Sequence, residues 1–427
     1  MIAGNLVSWA AAQHGERPSL VFGTRTLSHA EVESRSNRFA QALMGLGLRP
    51  AERVAVLLEN SLHSVDSVFG AEKAALTYVA LNARHTLAEH LDILADAEPV
   101  ALIVGPGFAP TAPALAAAAR ERLPGLRQVL SLGFGGNGLT DLEPLLAAAP
   151  DTPPRLVIDN EHVQRIAYTS GTTGKPKGVV YTAGRTAQRL HNHFMAMEHG
   201  LSVDDAMAHV GPLTHAAGVY VLPCFIRGAR NVVLDRFDPA SLLQAIEQHR
   251  ITQLMLVPTM MARLVEAIEG GLRGDWSSLR RIHYGTAPTP VALLRRAIAV
   301  FGPILRQQYG MTEAVQPLAV LYPHEHTGAD DGPMASCGRP SAGVRVVLRD
   351  AAGQAVPPGE VGEITLAHEG IGAVQLWRRP ELEAESIRNG WFHTGDLGRF
   401  DAQGFLHIVG RNKDMIISGG FNVYARE

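Results

Sequence analysis

Between Ser19 and about Leu305, short aliphatic runs alternate with longer amphipathic segments, and this alternation constrains the fold more than any other feature. The run ERVAVLLEN precedes SLHSVDSVFGAEKA, and ITQLMLVP precedes TMMARLVEAIEG. Asp238 and Pro239 form a good helix start, with aspartate as N-cap and proline at the first helical position. Strands and helices repeated in this order predict an α/β fold built on mostly parallel, helix-covered sheet.

The pattern changes after Gly338. The segment GVRVVLRDAAGQAVPPGEVGEITLAHEG predicts two strands joined by a turn-rich connection, and GFLHIVGR predicts another strand. We therefore expect α/β sub-domains to about residue 337 and a small β-rich sub-domain over about 338–409. The stretch 141–154, rich in Ala and Pro, is predicted to be a surface connection.

Length and charge limit the function classes. The 427 residues suffice for two or three sub-domains, and a net charge of -3 provides no basic surface for nucleic acid. Cys224 and Cys337 lack CxxC spacing, which suggests neither a zinc site nor a disulfide framework. We see no signal peptide, and the Ala-rich stretch 110–119 is too short to span a bilayer. The sequence thus predicts a cytoplasmic protein with no transmembrane segment and no nucleic-acid partner.

One loop, YTSGTTGKPKGVV, concentrates small, hydroxyl and basic residues. Glycines let backbone N–H groups turn toward one point, hydroxyls add donors, and lysines add charge, which together suit a polyphosphate. The loop is not a P-loop, because proline follows Gly174-Lys175 where that pattern needs Ser or Thr. A solvated turn is the alternative. The candidate phosphate-binding residues are Thr169, Ser170, Gly171, Thr172, Thr173, Gly174, Lys175 and Lys177.

Four further segments follow this loop in order. The first, GPLTHAAG, contains His215. A lone histidine among small residues is, taken alone, usually a buried core residue with satisfied hydrogen bonds. The second is a strand end breaking into a turn that could offer backbone groups to a flat heterocycle. The third offers a stacking ring, a hydroxyl and a hard-metal ligand, or ordinary helix capping. The second segment comprises Gly285, Thr286, Ala287 and Pro288, and the third comprises Tyr309, Gly310, Met311, Thr312 and Glu313.

The fourth segment contains Asp396 in WFHTGD, followed by Arg411 in GRNKD. An aspartate after a tight glycine can accept both hydroxyls of a ribose, and the arginine could donate to the same sugar. Taken alone, an aspartate in a turn and an arginine after a strand are usually solvated.

In this order the motifs resemble the adenylate-forming superfamily, which comprises acyl- and aryl-CoA synthetases, adenylation domains of peptide synthetases and beetle luciferases. The resemblance covers nearly the whole chain. It implies an acyl-CoA synthetase-like body, residues 1–409, of two helix-covered, mostly parallel sheets plus the β-rich sub-domain. It also implies an AMP-forming acid:CoA ligase that uses ATP, Mg²⁺ and CoA.

The resemblance also assigns roles. The loop from Thr169 to Lys177 embraces the β- and γ-phosphates of ATP, and Tyr309 stacks on adenine. Glu313 and Thr169 hold Mg²⁺, and Asp396 with Arg411 binds the ribose. Thr312 contacts the α-phosphate, His215 lines the junction of the acid and nucleotide sites, and Gly285 to Pro288 form one wall. The implied catalytic residues are Thr169, Lys177, His215, Thr312 and Glu313.

The chain departs from the superfamily at its end. Relatives carry a C-terminal lid domain with a lysine used in adenylation, whereas this sequence stops inside the motif that opens that domain. Lys413 matches the hinge, and Ser418-Gly419-Gly420 match the glycine loop that guides the thiol. We expect residues 410–427 to be the hinge and stump of a missing lid, and activity to be impaired.

The acid is predicted to be neutral and apolar, either fatty or aromatic. Amino-acid adenylation domains place an aspartate soon after their counterpart of His215, and no carboxylate occurs between Ala216 and Asn231. An adenylating domain that loads a carrier protein and a non-catalytic nucleotide-binding body remain alternatives, and homodimerisation stays open. The pocket candidates are Val219, Tyr284, Gly285, Thr286, Met311 and Val315.

Overall fold

The computed structural model describes residues 2–169, 176–197, 200–328, 332–368, 375–412, 416–418 and 421–423. The chain divides into two compact units. The first unit comprises Met1–Thr186 and Gly200–Met255, and the second comprises Ala187–His199 and Leu256–Glu427.

Strands and helices are interspersed in the chain up to Leu256, with three places where two strands follow each other directly. The strands are β1 (Pro18–Phe22), β2 (Arg25–Ser28), β3 (Arg53–Leu57), β4 (Thr77–Ala80), β5 (Ala101–Val104), β6 (Gln128–Ser131), β7 (Thr140–Asp141), β8 (Val163–Thr169), β9 (Lys177–Thr182), β10 (Ala206–His209), β11 (Arg230–Val233) and β12 (Gln253–Leu256). The helices are α1 (Asn5–His14), α2 (His29–Gly45), α3 (Leu62–Lys73), α4 (Leu87–Ala97), α5 (Ala112–Arg122), α6 (Glu143–Ala148), α7 (Ala183–Ala196), α8 (Val221–Ile226) and α9 (Pro239–His249).

Two sheets organise the first unit. One has the order β7-β6-β5-β3-β4-β8-β9 and is parallel except for the antiparallel pair β8 and β9. In the other, β1, β11, β10 and β12 are parallel neighbours, with β2 antiparallel beside β1. Every residue of β5 and of β12 is buried, as expected for parallel strands covered on both faces. The α/β prediction is confirmed.

The second unit combines parallel and antiparallel pairing. Its further strands are β13 (Arg281–Gly285), β14 (Leu305–Tyr309), β15 (Ala319–Leu321), β16 (Arg339–Pro340), β17 (Val346–Arg349), β18 (Gly362–Ala367), β19 (Ile387–Arg388), β20 (Trp391–Phe400), β21 (Leu406–Arg411), β22 (Ile416–Ser418) and β23 (Phe421–Val423). Its further helices are α10 (Pro258–Glu269), α11 (Val291–Phe301) and α12 (Pro380–Ser386). Strands β13 and β14 are parallel, whereas β17, β18, β20 and β19 form an antiparallel sheet that β21 extends beside β20.

Two local predictions had different outcomes. The α9 start is confirmed, because the Asp238 carboxylate accepts the Ser241 N–H at 2.9 Å and Pro239 opens the helix. The prediction that 141–154 is only a surface connection was wrong, because α6 forms within it. Leu142 is fully buried and Leu145 packs against the same apolar cluster. This Ala- and Pro-rich stretch therefore contributes an apolar helix face to the core.

None of the helices within the described ranges is long and apolar enough to cross a membrane.

A buried lysine ties the first three helices together. Lys73 in α3 is 1% exposed, and its ammonium donates to the Glu33 carboxylate at 2.6 Å, the Asn37 carbonyl at 2.7 Å and the Ser8 hydroxyl at 3.0 Å. All three ammonium hydrogens are therefore used, which is the condition under which a charge can be buried at tolerable cost.

Glu72, the neighbour of Lys73, predicts a pH-dependent stability. Burial raises the pKa of Glu72 to about 7, although the positive charge of Lys73 acts to lower it. A glutamate in the unfolded chain has a pKa of about 4.3. The free energy of unfolding that protonated Glu72 contributes is therefore fully present below that pH and is lost as the pH rises through about 7. Glu72→Gln should therefore raise Tm more at about pH 8 than at about pH 5.

The exposed Glu121 provides the control, because Glu121→Gln should change Tm equally little at both pH values. Thermal unfolding followed by circular dichroism measures the difference. A Glu72→Gln increment of the same size at both pH values would contradict this prediction.

Candidate active site

Asp396 and Arg411 lie directly opposite each other in the second unit. They are Cα partners in the antiparallel pair β20 and β21, and the Arg411 Nε lies 3.4 Å from the Asp396 Oδ1. Asp396 is thus inside a strand rather than in a turn. Its carboxylate is 13% exposed, whereas the Arg411 side chain is 73% exposed. Register therefore brings together two side chains that the sequence predicts to contact one ribose.

Tyr309 joins this pair. It ends β14, and its hydroxyl donates to the Asp396 Oδ2 at 2.6 Å. Burial, followed by the negative charge of Asp396, raises the pKa of Tyr309 well above its usual value. The phenol therefore stays a neutral donor at every working pH, and its ring is held beside the carboxylate.

The turn that begins at Gly285 lies next to the strand that carries Tyr309. Gly285 and Gln308 are Cα partners in the parallel pair β13 and β14. A Cβ on Gly285 would lie 2.3 Å from the Gln308 carbonyl oxygen, so only glycine permits this approach. Thr286 has a φ of 70°, a left-handed conformation that costs a β-branched residue about 1–3 kcal/mol and is common at functional sites. Ala287 and Pro288 continue the turn.

The segment after Tyr309 carries the candidate metal ligand. Gln316 donates to the Met311 carbonyl at 2.7 Å, which fixes the turn that leads to Thr312 and Glu313. Within the described ranges, no group of three His, Cys, Asp or Glu side chains could hold a metal. A single carboxylate suits Mg²⁺ bound with a nucleotide, because that ion takes most of its ligands from phosphates and water.

The candidate phosphate loop lies between two paired strands of the first unit. Thr169 ends β8 and Lys177 begins β9, and the two are Cα partners. The predicted residues between them, Ser170 to Lys175, lie outside the described residues, as do Lys413, Gly419 and Gly420 at the end of the chain. The hairpin thus brings Thr169 and Lys177 together.

His215 presents an open ring rather than a core histidine. Its side chain is exposed, and its Nδ1 lies 2.8 Å from the Thr214 Oγ1. The protein removes part of its hydration, which lowers the pKa of His215, and the positive charge of Arg165 lowers it further. The imidazole is therefore held neutral around physiological pH.

Sequence reasoning missed Arg165 and Asn60. The Arg165 guanidinium donates to the Thr214 carbonyl at 2.8 Å, and the Asn60 amide donates to the Gly211 carbonyl at 3.0 Å. A signal existed for Arg165, because a charged residue stands in the middle of the strand VQRIAYT. Asn60 follows a strand end, where polar residues are common, so it carried no comparable signal.

The fold agrees with the comparisons to known proteins. The family model described as AMP-binding enzyme matches residues 7–373. The chain therefore belongs to the AMP-binding enzyme family, within the adenylate-forming superfamily that its motifs resemble.

Its relatives include two CoA-dependent enzymes. The chain is 36% identical over 437 aligned residues to the medium/long-chain-fatty-acid–CoA ligase FadD8 of Mycobacterium tuberculosis, covering 99% of this chain and 74% of the relative. It is 37% identical over 407 residues to a feruloyl-CoA synthase of Amycolatopsis, covering 95% of this chain and 77% of the relative.

A solved structure shares the fold. The anthranilate CoA ligase AuaEII, in complex with anthranoyl-AMP, superposes with a TM-score of 0.88 at 27% identity. The match covers 99% of this chain and 80% of that one.

The contacts of Asp396 predict a loss of nucleotide binding on mutation. If Asp396 accepts ribose hydroxyls, Asp396→Ala should weaken AMP binding by about tenfold or more, since hydrogen bonds to a charged group contribute about 1.5–3 kcal/mol. Tyr309→Phe keeps the ring but removes the donor to Asp396, so it should weaken binding less. Isothermal titration calorimetry with AMP measures both values of Kd.

Thermal unfolding of the same variants separates the two roles of Asp396. Unchanged AMP affinity together with a lower Tm would make Asp396 a structural residue.

Proposed function

We propose that this protein is an AMP-forming acid:CoA ligase that activates a neutral, apolar carboxylic acid. One observation carries the proposal: Tyr309, Asp396 and Arg411 converge beside the Gly285 turn, in a chain of the AMP-binding family. A ring, a carboxylate and a guanidinium provide the stacking face, acceptor and donor that a nucleoside needs.

The reaction has two steps. A carboxylate oxygen of the acid attacks the α-phosphorus of ATP, the bond to the bridging oxygen breaks, and pyrophosphate leaves. The thiol sulfur of CoA then bonds to the acyl carbon, AMP leaves, and the thiol proton is lost. The first step turns a poor electrophile into a mixed anhydride, which is why ATP is required.

Charge is the main obstacle in the first step, because acid and ATP are both anionic. Lys177 and the hydroxyls of Thr169 and Thr312 would stabilise the phosphates as the pentacovalent state forms. Glu313, with Thr169, would hold Mg²⁺, which when bound neutralises phosphate charge. His215 would line the acyl side as a neutral imidazole.

Several observations support an apolar acid. No carboxylate occurs between Ala216 and Asn231, and Val219 is half-buried beside an apolar cluster. Tyr284 is fully buried, and its hydroxyl lies 3.0 Å from the His326 Nε2, so we assign it to packing. The other pocket candidates remain Val219, Gly285, Thr286, Met311 and Val315. The acyl groups in the names of the two relatives, fatty and feruloyl, are uncharged beyond the reacting carboxylate.

The two cysteines bear on location. Cys224 and Cys337 are buried and not disulfide-bonded, which suits the reducing cytoplasm that we propose for this enzyme.

Reading the two half-reactions separately tests the proposal. The protein is incubated with ATP, Mg²⁺, CoA and a panel of fatty, aromatic and dicarboxylic acids, and pyrophosphate and thioester are measured. A ligase releases pyrophosphate and forms thioester with apolar acids. Pyrophosphate without CoA thioester, but with transfer to a phosphopantetheinylated carrier protein, supports carrier loading. AMP binding without pyrophosphate from any acid overturns the enzyme proposal, provided that enough protein is used to detect a rate about 10²-fold below that of an intact ligase.

Glu313 predicts a metal-dependent phenotype. Glu313→Gln should lower acid-dependent pyrophosphate release by about 10²-fold or more at limiting Mg²⁺, as losing one preorganised electrostatic contact typically does. Glu360→Gln, an exposed change in the same unit, should leave the rate unaltered. Near-normal release by Glu313→Gln at limiting Mg²⁺ would remove this residue from the metal site.

A further inference from the structure

The segment Gly211 to Gly218, which presents His215, is fastened at its start by Asn60. This asparagine follows β3 and is 7% exposed. Its side-chain amide donates to the Gly211 carbonyl at 3.0 Å, and its side-chain carbonyl accepts the Leu213 N–H at 3.0 Å. One side chain thus holds two backbone groups just before His215.

The same segment is fastened at its end. The His209 Nδ1 lies 3.0 Å from the Ala217 carbonyl oxygen, and its Nε2 lies 2.8 Å from the Asn231 side chain. A Cβ on Gly218 would lie 1.9 Å from the Leu213 carbonyl oxygen, so the segment folds back closely on itself. Buried polar groups are most rigid when all are bonded, so this segment has little freedom to move.

Arg165 and Thr214 act on the imidazole itself. The Arg165 Nη2 donates to the Thr214 carbonyl at 2.8 Å, and the Thr214 hydroxyl lies 2.8 Å from the His215 Nδ1. A hydroxyl that donates to Nδ1 leaves the ring proton on Nε2. Within the described residues the Nε2 has no hydrogen-bond partner, so that edge of the exposed ring is available to a ligand.

Among the described residues, the titratable groups that act on His215 are all basic. Arg165 faces it from β8, and His85 and Arg84 face it from the loop before α4. Among the described residues, no carboxylate contributes to its titration. Partial burial first, and then these groups, lower the pKa of His215, so protonation is disfavoured.

We propose that Arg165 and Thr214 are positioning residues that hold His215 as the neutral tautomer with its proton on Nε2. In that form His215 donates a hydrogen bond to the acyl oxygen of the acid and of its adenylate. Arg165 fixes the Thr214 backbone, the Thr214 hydroxyl fixes the ring, and Asn60 and His209 fix the segment. The assignment of the acyl oxygen rests on the proposed function, whereas the tautomer does not.

Nuclear magnetic resonance tests the tautomer on the protein itself. The ¹⁵N shifts of His215, assigned by loss of its signals in His215→Asn, should show a protonated Nε2 and an unprotonated Nδ1. Thr214→Val should move the equilibrium toward the Nδ1-protonated form, whereas Thr214→Ser, which keeps the hydroxyl, should not. A protonated Nδ1 in the wild type, or no change in Thr214→Val, would overturn the proposal.

The same spectra test Arg165. Arg165→Gln should raise the pKa of His215 in an NMR titration, because a positive charge that opposes protonation is removed. Arg84→Gln should raise it less, and Arg155→Gln, an exposed change in the same unit, should leave it unaltered. A His215 pKa that is insensitive to Arg165→Gln would contradict this role.

Ligand binding tests the acyl contact. The probes are decanoyl- and feruloyl-sulfamoyladenosine, stable analogues of acyl-adenylates, with AMP as the reference without an acyl oxygen. Thr214→Val should weaken binding of the tighter analogue by about two- to tenfold, the range of one neutral hydrogen bond, and leave AMP binding unaltered. Thr214→Ser should retain the wild-type affinity. Equal losses for AMP and the analogue would indicate structural damage and overturn the positioning role.

The two proposals fail in different ways. If the wild type binds AMP but gains no affinity from either acyl group, and releases no pyrophosphate with any acid, the ligase proposal fails while the tautomer result still decides the roles of Arg165 and Thr214. If acid activation proceeds but Thr214→Val changes neither the tautomer nor the analogue affinity, only the positioning proposal fails.

Discussion

Parallel strand pairing decides where chemistry can occur in the first unit. The carboxyl ends of β3, β4 and β8 lie at one edge of their sheet, because these strands pair in parallel. Strands β3 and β4 are mostly buried and apolar, so their polar neighbours appear where the strands end, whereas β8 is only partly buried and carries Arg165 within it. Asn60 follows β3, His85 follows β4, and Thr169 ends β8. The start of the candidate loop and the position of Asn60 follow from that constraint, whereas Arg165 supports the His215 segment from within β8 and His209 from the end of β10.

In the second unit, antiparallel pairing positions the candidate side chains. Asp396 and Arg411 meet because β20 and β21 pair in a register that sets them opposite, and Tyr309 reaches the same carboxylate from the end of β14. Cross-strand neighbours need no loop to orient them, so the carboxylate is preorganised by the sheet. The strained Thr286 turn is the part of this group that departs from regular geometry.

Buried polar side chains of the first unit hold the backbone that carries His215. Asn60 and His209 are buried, and a buried polar group costs stability unless it is bonded. Each of them bonds the backbone that carries His215, and their remaining contacts go to the Leu234 carbonyl and the Asn231 side chain, so contacts that satisfy the interior also restrict the ring. Partial burial, and then the positive charge of Arg165, lower the pKa of His215 and keep the imidazole neutral, which suits a hydrogen-bond donor better than a proton carrier.

The sequence by itself determined the α/β alternation, the Asp238 cap and the family, because apolar periodicity, capping residues and ordered motifs are local signals. It also placed Asp396 and Arg411 in one site through resemblance. The sequence carried no clear signal for α6, because the apolar face of this helix lies in a stretch rich in Ala and Pro. Only the tertiary structure decided what surrounds His215. Arg165 and Asn60 lie 49 and 151 positions from the backbone groups they hold, and no local pattern encodes contacts that sheet pairing creates across such separations.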